Sequence, residues 1–152
     1  MPLAGVNFPG HFLLRVPGAD HLLDPCGGRR LYPNDCRELL QRQYGAHIKL
    51  SAEHLASAEP LQMFQRLSRN LRQLHLSYDD HLGALINAER VLEIGNGSAA
   101  DYLARASLYQ RLECPNAERF DLEHALLLSD DPIQRLRLTE RLGHLPPNTI
   151  VH

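Results

Sequence analysis

His11, Asp24 and Cys26 are the three side chains of this sequence whose types and spacing could act together chemically. Val16 and His21 are separated only by Pro17-Gly18-Ala19-Asp20, a turn composition lying between two apolar runs. That pattern reads as a β-hairpin. With Pro17 and Asp20 closing the turn, His11 faces Cys26, Leu13 faces Asp24 and Arg15 faces Leu22. His11 and Asp24 are then diagonal neighbours on one face, their Cβ atoms roughly 7–8 Å apart. A hydrogen bond across that gap would fix the ring tautomer, as in the orienting half of a nucleophile–His–Asp triad. Cys26 opposite His11 puts a thiol beside an imidazole, an arrangement that favours thiolate. The same three groups are metal-ligand types, but the register supplies no fourth ligand, so no metal site is read. The plain alternative is an edge or core histidine, an aspartate capping the turn before Pro25, and a structural thiol.

The elements that must hold these residues are short. A strand at Val6–Phe8 precedes the hairpin, and Leu31-Tyr32 can extend it. Phe12, Leu14, Val16 and Leu23 form one apolar face, while Leu13 and Leu22 share the face of His11; strands buried on both sides look like this. Pro33-Asn34-Asp35 opens a helix that runs to Tyr44 and stops at Gly45. Ser51, Glu53 and His54 begin a second short helix ending before Pro60.

From Pro60 onward the pattern is helical throughout. Leu61, Phe64, Leu67, Leu71, Leu74 and Tyr78 recur at three- and four-residue steps. Asp79-Asp80 starts the next helix, with Leu82, Leu85, Ile86 and Leu92 inward, and Gly95-Asn96-Gly97 ends it. Further helices follow Ser98, Pro115 and Asp131-Pro132, the last stopped by Pro146-Pro147. Inward residues of the helix after Pro115 are expected to include Ala117, Phe120, Ala125 and Leu128. Ala84 and Ala117, Leu71 and Ala104, and Leu92 and Ala125 are each offset by 33 residues. A helix-pair repeat of about 34 residues has this signature, with a generic helical hairpin bundle as the alternative. Arg66, Arg69 and Arg72 line one helical face, either solvated or open to an acidic peptide.

Composition sets the outer limits. The 152 residues are 43% hydrophobic and 22% charged, ordinary globular values that suit one domain or two small ones. A net charge of −2 argues against nucleic acid or an anionic membrane as the main partner. No run of eighteen apolar residues occurs, so no membrane-spanning helix is read. Three cysteines, Cys26, Cys36 and Cys114, lack disulfide-scaffold or zinc spacing and read as reduced thiols in a cytoplasmic setting. No cofactor motif is present.

The wording Phe8-Pro9-Gly10-His11-Phe12-Leu13-Leu14-Arg15, then Leu23-Asp24-Pro25, then Gly27-Gly28-Arg29, resembles the SirB family. That resemblance implies a transglutaminase-type core followed by tetratricopeptide repeats. It makes His11 and Asp24 the second and third members of a Cys–His–Asp order, and the nucleophile would sit upstream of this chain's first residue. The expected fold is α+β: a small antiparallel β-hairpin or sheet from a partial transglutaminase-like core, then an all-α tetratricopeptide-like repeat region. The expected divisions are 1–58 for the core part, 59–145 for the repeats with a capping helix, and 146–152 for a tail. The expected function is protein interaction or regulation through the repeats, with His11 and Asp24 a triad remnant and Cys26 the one thiol the register brings near. The alternative is a thiol acyl-transferase or hydrolase whose nucleophile lies upstream. Half a core should leave Phe8, Phe12, Leu14 and Leu23 as an exposed patch, through which the β part self-associates.

Overall fold

The structure, a computed structural model, describes residues 3–147, and the chain divides into two compact units between Met63 and Phe64. In the first unit, four three-residue strands form an antiparallel meander: β1 (Ala4–Val6), β2 (Leu13–Arg15), β3 (Leu22–Asp24) and β4 (Arg29–Leu31). Leu14 pairs with Leu23 and Arg15 with Leu22, the register expected of the hairpin. Its turn closes one residue earlier than expected. The Ala19 N–H donates to Val16 O at 3.1 Å, and Gly18 takes the positive φ of 78° that the third position of a type II turn requires.

One face of this sheet makes the core. Val6 pairs with Leu13 and Leu22 with Leu31, and these four pack with Phe8, Cys36 and Leu40. The opposite face carries Gly5, Leu14, Leu23 and Arg30 in register. Met63 lies over Gly5 so closely that an added Cβ would stand 2.5 Å from its terminal methyl carbon. The expected apolar patch is therefore corrected. Phe8 is fully buried in the core, and Phe12, Leu14 and Leu23 are partly covered. Helix α1 (Pro33–Tyr44) buries Cys36 and Leu40 against this core. Asp35 accepts from the Tyr32 N–H at 2.8 Å, and Gly45, at φ 98°, ends the helix by donating to Gln41 O. A single 3-10 turn at Glu53–Leu55 follows.

Helix α2 (Pro60–Ser77) leads into the second unit, which continues with α3 (His81–Ile94), α4 (Ala99–Arg111), α5 (Pro115–Leu128) and α6 (Pro132–His144). Starts are set locally: the Asp80, Ser98 and Asp131 side chains accept from Gly83, Asp101 and Ile133 N–H groups, and Pro115 and Pro132 occupy first-turn positions. Helices α3 to α6 stack in sequence. One cluster joins Ala84 and Ala88 to Leu108, and another joins Ala106, Leu122, Ala125 and Leu138. Two clusters along a stack, rather than one central core, mark a repeat architecture.

The repeat is 34 residues, not 33. Buried positions Ala84, Asn87, Ala88 and Val91 of α3 recur in α5 as Glu118, Asp121, Leu122 and Ala125. The left-handed turn residues Asp79 (φ 58°) and Glu113 (φ 55°) keep the same spacing. Facing is corrected too: Leu82, Ile86, Phe120 and Leu128 are each half or more exposed. Small residues at Ala84, Ala88 and Ala125 let neighbouring backbones approach, so the larger apolar side chains stand outside. Leu122→Ala should cost roughly 3 kcal/mol, the usual toll of a core cavity, whereas Leu128→Ala should stay within about 0.5 kcal/mol. Chemical denaturation of the two variants reads the difference directly, and equal losses would reverse the assignment of the buried face.

Candidate functional site

His11 lies outside the sheet. Pro9-Gly10 turns the chain so that the His11 N–H donates to Phe8 O at 3.2 Å, and β2 begins only at Leu13. Gly10 suits the turn: its φ of 72° is left-handed, a conformation that strains a residue with a Cβ. The half-buried imidazole tilts against Phe8, ring centroids 6.4 Å apart.

Asp24 closes β3 opposite Arg29. Its Oδ1 accepts from the Cys26 N–H and the Gly27 N–H, each at 2.9 Å. Those two donors, Gly27 first, hold the carboxyl below its ordinary range; Arg29 adds to this, and His11 contributes least. The two residues thus sit near enough for their charges to interact, but among the described residues no hydrogen bond joins them. Cys26 is exposed in the β3–β4 turn. The ladder starts at Leu13 and stops at Asp24, so positions 11 and 26 are never paired. Among the described residues no group of three His, Cys, Asp or Glu side chains converges as a metal site.

A different set of polar side chains does meet in the first unit. His21 Nδ1 lies 3.1 Å from Asp20 Oδ1, and the ring stacks obliquely on Tyr32 at 5.5 Å. Asp20 and His21 line a cavity of about 140 Å³ with Arg15 and Cys36. Burial, reinforced by Asp35, pushes the Cys36 thiol up, which keeps it protonated and a poor nucleophile. The adjacency of Asp20 and His21 was the sequence signal for this pair.

The second unit carries its strongest electrostatics inside. Asp101, Glu118 and Asp121 are buried carboxylates. Arg69 of α2 grips Asp101 of α4 with two 2.8 Å hydrogen bonds. Arg105 of α4 holds Asp121 of α5 at 2.8 and 2.7 Å, and Arg141 of α6 reaches Glu118 of α5 at 2.8 Å. Ser98 adds its N–H and hydroxyl to Asp101 at 3.0 and 2.8 Å. Burial alone would raise the Asp101 carboxyl, but Arg69 and Ser98 drive it far below the usual carboxylate range. Arg72 Nη1 stands 4.0 Å from the same carboxylate. Arg69 and Arg72 therefore face a neighbouring helix instead of an acidic peptide. No single-sequence pattern announces such pairs, whose members lie 16 to 32 residues apart.

The chain is similar to two families, one in each of its parts. Residues 1–69 match the transglutaminase-like superfamily and residues 71–143 a tetratricopeptide repeat family. The chain is similar to a UPF0162 protein of Pseudomonas aeruginosa, 62% identical over 149 residues, covering 98% of this chain and 55% of that protein. It is also similar to a UPF0162 protein of Xylella fastidiosa, 31% identical over 134 residues, 84% of this chain and 48% of that protein. The chain spans about half the length of these curated relatives. No solved structure matches it. No helix among the described residues is long and apolar enough to cross a membrane.

Two tests follow from this geometry. Asp101, depressed in the folded state, stabilises the protein above its unfolded-state value of about 3.9, and that stability is lost as pH falls towards the lower folded value. Asp101→Asn should lose roughly 2 kcal/mol at pH 7 by weakening the charged hydrogen bonds to Arg69, which is itself partly exposed, and the gap to the parent should narrow in melts run down to pH 2. In a Cys114→Ser background, Cys26 should alkylate with iodoacetamide at the rate of a free cysteine, unchanged by His11→Ala. Labelling many times faster in the parent would reveal an activated pair.

Proposed function

We propose that this chain is an interaction module of the SirB type, its helical unit binding a protein or peptide while the His11/Asp24 pair is a catalytically silent remnant. One observation carries the reading. The helical unit keeps its ion pairs inside and stands large apolar side chains outside, among them Phe64, Leu67, Leu127 and Leu136, each more than half exposed. Exposed apolar surface on this scale has a use in binding, and tetratricopeptide repeats are stacked to present such surfaces. Silence is supported by Asp24, whose carboxylate caps the Cys26 and Gly27 N–H groups and makes no hydrogen bond to His11. A base without its orienter has lost the geometry a triad depends on. Partner chemistry is proteinaceous, with no cofactor, and the setting is cytoplasmic.

The test is a photo-crosslinking amino acid placed in cells at Leu67, Leu127 and Leu136, with exposed Glu123 as the polar control. Discrete adducts at the apolar positions and none at Glu123 are expected. Adducts no more abundant at the apolar positions than at Glu123 would overturn the interaction reading.

A further inference from the structure

The core face of the sheet ends on a charge. Arg15, Leu22 and Leu31 stand in one row across β2, β3 and β4, since Arg15 pairs with Leu22 and Leu22 with Leu31. Leu22 and Leu31 are buried in the core, and the exposed Arg15 closes the row at its rim. Beside it opens the cavity of about 140 Å³. Its floor is apolar: Leu22, Leu31 and Leu55, with Pro33 and the Cys36 side chain from the start of α1. Burial keeps that thiol neutral. Arg15 is the unmatched charge of the lining. Its Nη2 donates to the Leu55 carbonyl, which leaves most N–H donors of the guanidinium unused. Among the described residues it joins no ion pair, and Asp20, the one carboxylate of the lining, is already engaged. Asp20 lies 3.1 Å from His21 Nδ1, and the Arg30 charge acts on it as well.

We propose that this cavity binds a small aliphatic monocarboxylate, its carboxylate on the Arg15 guanidinium and its hydrocarbon tail on the leucine floor. Three properties select that class. The volume is close to that of a roughly 150 Å³ cavity that holds benzene, so an acid of about five carbons fits, whereas a nucleotide does not. The guanidinium fork matches a carboxylate through paired hydrogen bonds. The apolar floor favours a tail and gives a hydrated inorganic anion nothing to replace its water. A neutral amide of the same shape keeps the tail contacts and loses the charge-assisted pair. All of these residues belong to the first unit, so the site goes beyond the interaction reading of the helices and is tested apart from it.

The test is a titration of the isotope-labelled 152-residue chain with isovalerate at neutral pH and constant ionic strength, read by backbone amide shifts. Saturable shifts at Leu22, Leu31, Cys36 and Leu55 are expected, with isovaleramide and inorganic phosphate each about tenfold weaker or worse. Arg15→Gln should weaken isovalerate by a similar factor. Arg15→Lys should recover part of the loss, because a point charge keeps the attraction without the fork. Isovaleramide binding as tightly as isovalerate overturns the proposal, and so do shifts that never saturate or that lie away from the cavity. Phosphate binding as tightly as isovalerate marks an adventitious ion only and overturns it too. An Arg15→Gln variant that binds isovalerate like the parent does the same. Acid against amide is compared on the parent chain, so a variant that fails to fold does not obscure the outcome.

Discussion

Three buried carboxylates govern the helical half of this protein. Asp101, Glu118 and Asp121 are almost wholly removed from water, and each is tolerable only because an arginine from an adjacent helix meets it. Such a pair adds little net stability compared with apolar residues of the same shape. It adds position: slide α4 along α5 by one residue and Arg105 loses both hydrogen bonds to Asp121. A buried charge without its partner costs several kcal/mol, so wrong registers are disfavoured far more strongly than soft apolar packing would manage. The small residues at Ala84, Ala88, Ala106 and Ala125 allow the close approach that these short bonds require. Large apolar side chains are displaced to the outside as a result.

That inversion explains what the sequence disclosed and what it hid. Boundaries were legible because caps and breakers act locally. Pro33, Gly45, Pro60, Ser98, Pro115 and Pro132 each mark a helix end within a residue of where the backbone changes course. The hairpin register was legible for the same reason, since a Pro-Gly turn between apolar runs leaves few pairings. The direction in which each helix faces was not. An apolar stripe normally points inward, and the stripe of α2 fixed a face without disclosing that Arg69 and Gln65 would claim the interior. The same error placed Leu82, Ile86, Phe120 and Leu128 inward and shifted the repeat by one residue.

At the candidate triad the failure was of a different kind. Register arithmetic extrapolated a ladder beyond its ends. Gly10, with its positive φ, bends the chain before β2 starts, so His11 never joins the strand. Asp24 had closer donors than an imidazole on another segment. A carboxylate two and three residues ahead of free N–H groups in a Gly-Gly turn closes that turn first. Spacing alone carried no sign that the Cys26 and Gly27 N–H groups would take the Asp24 carboxylate.

The 34-residue spacing also shows where the two helix pairs diverge. Asp121 of α5 corresponds to Asn87 of α3, and Arg105 of α4 corresponds to Leu71 of α2. The ion pair inside the second helix pair is thus absent from the first at both of its positions. That is the economical way to lose it, because removing one member alone would strand the other. Asn87 donates to Gly83 O at 2.9 Å, and its Oδ1 has no partner, a milder penalty for an amide than for a carboxylate. Without Arg105's counterpart, α2 is tied forward instead, through Arg69 and Arg72 to Asp101 of the following pair. Arg72 bears the strain of that arrangement: burial lowers its guanidinium, Asp101 opposes this from 4.0 Å, and Nη1 is left without a hydrogen bond. The first helix pair is therefore held less by its own polar contacts than by those to its neighbour, which leaves α2 oriented from one side and its apolar seam facing out.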